Sequence, residues 1–237
     1  LVCGECIHCR NGRSTHCLNR STLGISNKSG IFAEYFTLPL ENLHVVPESV
    51  PDEAAVFTEP LAAALEILQQ IQIHPEDHVV LVGAGRLGQL IARVLARTGC
   101  QLSVVTRYAQ QVDLLGQCGI RAAQVTEIPP YCADIVIEAT GSVDGFDIAR
   151  QLVRPRGTIV LKSTYRGSIT VDFSALVVQE ITLMGSRCGP FEPALRLMAS
   201  NRVALQPLIA AHYPLAQGLD AFAFAASPGV MKVVLHP

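Results

Sequence analysis

The chain has 237 residues, of which 49% are hydrophobic and 16% are charged, and its formal net charge is −2. A disordered protein would be poorer in apolar residues, and a nucleic-acid-binding protein normally carries a basic excess, so we expect neither class. No run of about 18 apolar residues is present, so we also predict no membrane-spanning helix and no membrane partner. The length allows one large domain or two small ones.

The predicted elements change in character along the chain. Residues 1–30 have loop composition, and residues 31–48 contain short extended runs that predict β-structure. An Ala/Leu-rich stretch after Pro51 predicts a helix, with Pro60 in the first turn of a new one. From residue 77 onward, strands are predicted at 78–82, 102–106, 134–138, 157–162, 180–185 and 231–235, and helices at 87–95, 108–118, 144–153 and 190–200. Residues 168–173 alternate polar and apolar side chains and suggest an extra or edge strand. The alternation of strands and helices predicts an α/β fold with a parallel sheet.

Four of the eight cysteines crowd the start of the chain, namely Cys3, Cys6, Cys9 and Cys17. Four thiolates at this spacing can surround one tetrahedral Zn²⁺, and a site with four protein ligands has no open position, so the zinc would be structural. The alternative interpretation is free or disulfide-paired thiols in a loop. His8 and His16 lie in the same segment, but we do not expect them to be ligands because four cysteines already suffice.

A glycine-rich turn follows the first strand of the α/β part. Its sequence, Gly83-Ala84-Gly85-Arg86-Leu87-Gly88, lies between a predicted strand and a predicted helix. In this context the first glycine permits the tight turn, the second lets the backbone approach a pyrophosphate, and the third lets helix and strand pack closely. The helix N-terminus then offers free N–H groups to the phosphates. We predict dinucleotide binding by Gly83, Gly85, Arg86, Leu87 and Gly88, against the alternative of a tight turn without a ligand.

The second strand indicates which dinucleotide is bound. A site for NAD usually has an acidic residue at the end of this strand, whereas here the strand ends in Thr106-Arg107. An arginine at that place can pair with a 2′-phosphate, so we favour NADP over NAD. The alternative is that Arg107 is a solvated surface residue. Two further charged residues, Glu59 and Lys232, indicate nothing by themselves.

Taken together, these motifs resemble one enzyme family. The Cys3–Cys17 cluster, the Glu59-Pro60-Leu61 segment, the Gly83–Gly88 turn and the closing Gly229–Leu235 strand occur in the order found in zinc-dependent medium-chain alcohol dehydrogenases. The similarity is greatest to the branch with sorbitol and threonine dehydrogenases, and it extends from Cys3 to the end. It implies an oxidoreductase that transfers a hydride between an alcohol, of the polyol or small secondary alcohol class, and NADP(H) or NAD(H).

The resemblance also implies a domain arrangement. A Rossmann coenzyme domain at residues 61–187 would interrupt a partial, β-rich GroES-like catalytic domain, formed by residues 1–60 and 188–237. Glu59 would bind a catalytic zinc directly or through its water. Strand ends at Thr140-Gly141 and Lys162-Ser163 would border the nicotinamide, and Lys232 would reach the cofactor phosphates. The family further implies a homodimer joined at the 180–187 edge, and we expect a cytoplasmic protein.

One departure from the family pattern matters for activity. The family's remaining catalytic-zinc ligands, a Cys and a His-Glu pair, precede the cysteine cluster, and this sequence begins after them. We interpret the difference as truncation of a longer protein rather than a naturally short form. A rival interpretation is therefore a non-catalytic nucleotide-binding protein that keeps only the structural zinc. A zinc-stapled nucleic-acid module is disfavoured by the net charge of −2.

Overall fold

The computed structural model describes residues 1–165 and 167–237, and a parallel sheet lies at its centre. Six strands run through it in the spatial order β3-β2-β1-β4-β5-β6, and every neighbouring pair is parallel. Their bounds are β1 His78–Val82, β2 Gln101–Val105, β3 Ala122–Ala123, β4 Ala133–Glu138, β5 Val153–Leu161 and β6 Thr182–Gly185. The order changes direction between β1 and β4, which is where open sheets of this type bind ligands.

Helices cover both faces of this sheet, and further helices lie in the chain segments before and after it. Their bounds are α1 Ile7–Arg10, α2 Asp52–Ala55, α3 Thr58–Gln70, α4 Arg86–Leu95, α5 Ala109–Gly116, α6 Val143–Leu152, α7 Phe173–Val178, α8 Phe191–Ala199 and α9 Gly218–Ala225. The helices predicted at 87–95, 108–118, 144–153 and 190–200 are thus confirmed to within two residues at each end. The strand predicted at 157–162 begins four residues earlier, and the one predicted at 180–185 begins two residues later.

Alternate residues of the central strands supply two hydrophobic cores. Val79 and Leu81 of β1 face one core, together with α3, α4 and α8, whereas Val80 and Val82 face the other, together with α6. Because both faces are covered, the strand is apolar along its whole buried length rather than alternating. Burial on both sides fixes the register of the sheet and therefore holds its carboxyl-end loops in place.

A second, smaller βαβ unit closes the chain. Strands β7 Ile209–Pro214 and β8 Lys232–His236 pair in parallel, with α9 between them in sequence. Only the final strand of this unit was predicted. The 209–214 segment contains two alanines and alternates half-buried with exposed side chains, so its hydrophobic signal is weak.

Two predicted strands are absent from the described residues. Residues 31–48 contain no strand, only a short 3₁₀ turn at Leu40–Asn42, and Tyr35 and Val45 are 89% and 91% exposed. The prediction was wrong because these runs have no partner strand in the described chain to complete their hydrogen bonds. The strand suggested at 168–173 is also wrong: helix α7 begins at Phe173, since Asp172 caps it by accepting from the Ala175 N–H.

None of the helices in the described ranges is long and apolar enough to cross a membrane.

Candidate functional site

The Gly83–Gly88 turn joins β1 to α4, and each of its glycines meets a different environment. Gly83 has φ = 101°, a conformation that L side chains rarely adopt. A Cβ on Gly88 would lie 2.1 Å from the Gly83 carbonyl oxygen, so strand and helix approach closely there. A Cβ on Gly85 would meet nothing within 4 Å, so the middle of the turn faces open space. The turn is therefore tight where it packs and open where a pyrophosphate would approach.

A cavity of about 390 Å³ lies on the β2 side of this turn. Five residues predicted to bind the cofactor line it, namely Gly83, Gly85, Thr106, Arg107 and Thr140. Gly85 is the N-cap of α4, so the unpaired N–H groups of that helix open beside the cavity. The size and polarity of this space fit the adenosine half of a dinucleotide.

Arg107 lies just beyond the end of β2 and is exposed. Its guanidinium carbon stands 5.5 Å from the centroid of the Tyr108 ring, a cation–π arrangement. Thr106 donates its hydroxyl to the side-chain oxygen of Gln111 on α5. The side chain just beyond the end of β2 is therefore a cation and not a carboxylate.

A second cavity of about 420 Å³ lies on the other side of the turn. Four more predicted residues line it, namely Glu59, Arg86, Leu87 and Lys232. Arg86 donates through Nε to the Val230 carbonyl at 3.1 Å and through Nη2 to the Ala225 carbonyl, which ties the start of α4 to the C-terminal βαβ unit. The turn thus separates an adenosine-sized space from one where charged side chains converge.

Lys232 is partly buried in this second cavity. Its ammonium nitrogen lies 5.0 Å from the centroid of the Phe57 ring and 3.5 Å from the Val56 carbonyl. Burial lowers the pKa of Lys232, while the nearby Glu59 carboxylate acts in the opposite direction. An anionic ligand would stabilise the charged amine, so the position suits a phosphate group.

The cysteine cluster has the geometry of a tetrahedral metal site. The four Sγ atoms of Cys3, Cys6, Cys9 and Cys17 all lie within 4.8 Å of one another, and two Sγ–Sγ pairs are 3.5 Å apart. A tetrahedral zinc with Zn–S bonds of about 2.3 Å places its sulfurs about 3.8 Å apart. The residues present therefore fit a zinc ion with four protein ligands.

Backbone hydrogen bonds lower the pKa of two of the four thiols, Cys3 and Cys6. The backbone groups of Cys9 and Leu18 lower the pKa of Cys6 to about 6, and those of Glu5 and Cys6 lower the pKa of Cys3. Desolvation, followed by the neighbouring Cys6 side chain, raises the pKa of Cys9 to about 12. A bound cation would overcome the raised pKa of Cys9, because a coordinated thiol is deprotonated by the metal itself.

Glu59 lies in the first turn of α3, beside the second cavity. Within residues 1–165 and 167–237, the four cysteines are the only group of three or more potential ligands that converge on one point. The described residues therefore do not complete a second metal site around Glu59.

The carboxyl ends of β4 and β5 bring the remaining predicted residues together. The Gly141 N–H donates to the Ser163 hydroxyl at 2.7 Å, which links the two strand ends. Lys162 turns away from this link: its ammonium donates to the carbonyls of Ala63 and Arg187, at 2.7 Å each, and to the Ser186 hydroxyl at 3.1 Å. Burial lowers the pKa of Lys162 to about 8.

Sequence reasoning missed Glu138, which ends β4 and is fully buried. Its carboxylate accepts from the Thr140 N–H at 2.6 Å, from the Thr140 hydroxyl at 2.5 Å and from the Tyr165 hydroxyl at 2.5 Å. Burial and this carboxylate raise the pKa of Tyr165. A single acidic residue closing an apolar strand was the available signal. The network holds Thr140, which lines the first cavity, in a fixed orientation.

The chain is similar to known proteins both in sequence family and in fold. Residues 1–48 match the family model described as the alcohol dehydrogenase GroES-like domain, and residues 64–154 match that of shikimate/quinate 5-dehydrogenase. A sorbitol dehydrogenase from Halalkalibacterium halodurans is 30% identical over 253 aligned positions, which cover the whole chain and 74% of that protein. The chain belongs to the zinc-type medium-chain alcohol dehydrogenase family.

Solved structures of dehydrogenases share the fold. A zinc-binding dehydrogenase from Sinorhizobium meliloti 1021, bound to NADP, superposes with a TM-score of 0.92 at 24% identity and covers the whole chain and 74% of its own. An alcohol dehydrogenase from Escherichia coli CFT073, complexed with NADH, gives 0.90 at 23% identity, again over the whole chain and 74% of its own. The predicted family and α/β fold class, with a GroES-like part, are confirmed. The domain boundaries at 60 and 187 stay predictions.

Proposed function

We propose that this medium-chain dehydrogenase transfers a hydride between an alcohol and a nicotinamide dinucleotide held at the Gly83–Gly88 turn. The observation that carries the proposal is the turn itself: cavities of about 390 and 420 Å³ lie on its two sides, and its open middle glycine, Gly85, lines the first of them. When bound, the nicotinamide supplies the hydride chemistry, and the protein supplies binding and orientation.

Different parts of the dinucleotide bind to residues on the two sides of the turn. On the first side, the end of β2 and Thr140 hold the adenosine half. At the turn, the α4 N-terminus receives the pyrophosphate, and Arg86 and Lys232 add positive charge on the second side. The linked ends of β4 and β5, at Gly141 and Ser163, border the nicotinamide half. The position of Glu59 in the lining of the second cavity supports the proposal that the reacting ring lies on that side of the turn.

A structural zinc in the Cys3–Cys17 cluster is part of the proposal, supported by the donor set and the sulfur separations. It would hold residues 1–30 in shape and take no part in the reaction. Glu59 stays a predicted ligand of a catalytic zinc. Because the described residues offer no converging partners for it, no step of the reaction is assigned to that metal.

The finer assignments follow from individual residues and relatives. Arg107 supports NADP over NAD, since the end of β2 offers a cation to a 2′-phosphate. The sorbitol dehydrogenase relative supports a polyol or a small secondary alcohol as the substrate class. The exposed edge strand β6 supports a homodimer formed by two copies of that edge. A cytoplasmic location stays a prediction.

A second candidate function is nucleotide binding without turnover. It is favoured by one observation, the lack of a second converging ligand group in the part of the chain that the structure describes. Both candidates predict nucleotide binding, so binding alone does not separate them.

Turnover separates the two candidates. Purified protein with its native metal content is assayed against a panel of polyols and small secondary alcohols with NADP⁺ and with NAD⁺, following reduced-nicotinamide absorbance. Gly85→Asp, which fills the open middle of the turn, is the control for background activity. A rate above that of the control supports the dehydrogenase. Tight nucleotide binding with no rate above the control for any alcohol supports the binding protein.

A further inference from the structure

Lys162 lies at a junction of three parts of the chain. It directly follows β5, and its backbone N–H donates to the Glu138 carbonyl at 2.9 Å, so its main chain still belongs to the sheet. Its side chain leaves the sheet and reaches Ala63 on α3 and the segment 186–187 that follows β6. One ammonium group therefore joins the ends of two strands to a helix.

All hydrogen-bonding capacity of the Lys162 ammonium is used at this junction. A charged amine has three donors and no acceptor, and three oxygens take them at 2.7, 2.7 and 3.1 Å. None is left for a nucleotide, although the family resemblance implies that this strand end borders the nicotinamide. The geometry thus favours a role within the protein over direct contact with the cofactor.

Glu59 lies on α3, the helix to which Lys162 donates a hydrogen bond. Ala63 lies four residues after Glu59, one helical turn along the same face of α3. Segment 186–189 also packs tightly on this helix, since a Cβ on Gly189 would lie 2.3 Å from the Ala62 carbonyl oxygen. The Lys162 contacts therefore tie α3, one helical turn from Glu59, to the carboxyl end of β5.

We propose that Lys162 is a positioning residue, which holds α3, and with it Glu59, at a fixed distance from the strand ends that border the nicotinamide. The inference rests on the proposed function in taking that distance to matter for hydride transfer. Reacting groups must be held within a fraction of an ångström, and a misplacement of about 1 Å costs about a hundredfold in rate. Glu59 and Glu66 of α3 and Cys188 of the following segment face the amine and favour its charged form.

The test compares Lys162→Met with Lys162→Arg in the full chain. Met keeps an unbranched stem of similar length but no donors, so it leaves three acceptors unpaired. Arg keeps the charge and the donors on a planar head. Arg156→Met is the matched control, because it removes an exposed cation from the other end of the same strand. Three quantities are measured: amide hydrogen exchange, the affinity for NADPH, and the emission spectrum of bound NADPH.

We expect amides of 62–65 and 186–189 to exchange about tenfold faster in Lys162→Met, because charged hydrogen bonds are lost. NADPH affinity stays unchanged, whereas the emission change that reports enclosure of the nicotinamide ring is diminished. Lys162→Arg restores part of both signals, and Arg156→Met alters neither.

Other outcomes overturn the inference. Unchanged exchange together with a large loss of NADPH affinity in Lys162→Met makes Lys162 a cofactor ligand instead. If the Met and Arg variants show the same amide exchange and the same NADPH emission, the hydrogen bonds of Lys162 are not what matters and its side chain only fills space. Failure of the wild-type chain to bind NADPH refutes the proposed function and leaves the exchange result to decide the junction separately.

Discussion

At the scale of single residues, the three glycines of the turn differ in what a side chain would meet. A Cβ on Gly85 would meet open space, whereas a Cβ on Gly88 would collide with the Gly83 carbonyl oxygen. We predict that Gly85→Asp leaves the free energy of unfolding nearly unchanged but abolishes nucleotide binding, since its carboxylate would occupy and repel the pyrophosphate. Gly88→Ala instead destabilises the fold by about 1–3 kcal/mol through overpacking.

Denaturant unfolding and nucleotide titration of the two variants check this pair. Wild-type stability of Gly88→Ala, or wild-type nucleotide affinity of Gly85→Asp, would contradict these expectations.

Lys162 makes stability depend on pH in a defined window. Burial lowers its pKa from an ordinary 10.5 to about 8, against the opposing effect of Glu66, Cys188 and Glu59. Between these values the unfolded chain holds the proton more strongly than the folded one, so this residue's contribution to stability rises with pH. We predict that the free energy of unfolding of the wild type, minus that of Lys162→Met, increases from pH 8 to pH 10. Urea unfolding at several pH values measures it, and a difference that falls or stays flat contradicts the assignment.

The glycine turn could be predicted because its spacing and its place after an apolar strand are both local properties. The partners of Lys162 lie 99, 24 and 25 residues away in sequence, so no local pattern reveals them. Glu138 illustrates the same limit: its burial and its bond to Tyr165 depend on how two strand ends meet.

At the scale of elements, residues 1–30 form a lobe with few ties to the remainder. Arg187 donates to the Thr15 carbonyl at 3.0 Å, and this is the hydrogen bond that joins the lobe to later parts of the described chain. We predict that purified protein contains one zinc per chain and that its removal unfolds the lobe without unfolding the sheet. Elemental mass spectrometry and amide exchange before and after chelation test this.

Cys17→Ser, which removes one sulfur ligand, should reproduce the exchange pattern of the chelated protein. Two zinc ions per chain would show a second site that the described residues do not form. Loss of protection in β1 and β4 together with the lobe would show that the two parts unfold as one.

The edge strand β6 is the element predicted to join two copies. Leu183 lies on it and is 39% exposed, although the strand pairs only with β5 among the described strands. We predict that the wild type sediments as a dimer and that Leu183→Lys is monomeric, because a charge on an edge opposes edge-to-edge pairing. Leu219→Lys, at an 87% exposed position on α9, is the control and should stay dimeric. A monomeric wild type refutes the edge interface.

Elements differ in how far sequence alone identifies them. Five strands of the central sheet were predicted near their true positions because each contains a short apolar run, although β6 is mostly exposed, and the two-residue β3 was missed. Residues 31–48 have similar local composition but lack partner strands, and pairing is a property of the whole sheet. The β7–α9 pair was missed because its alanine-rich sequence has little periodic contrast.

At the scale of the whole molecule, the described chain brings a dinucleotide turn, two flanking cavities and a four-cysteine lobe into one framework. Membership of the dehydrogenase family explains why the turn, the cavities and the cysteine lobe occur in one chain. The central claim is that one nicotinamide dinucleotide binds at the Gly83–Gly88 turn, with Arg107 selecting the 2′-phosphate.

Calorimetric titration of the zinc-loaded chain with NADPH and with NADH tests that claim most directly. We expect one site per chain and tighter binding of NADPH than of NADH. The advantage of NADPH should fall about tenfold or more in Arg107→Ala but not in Arg121→Ala, a nearby exposed control. Binding of both nucleotides with equal affinity would refute the role of Arg107. Absence of binding by either nucleotide would contradict the account as a whole.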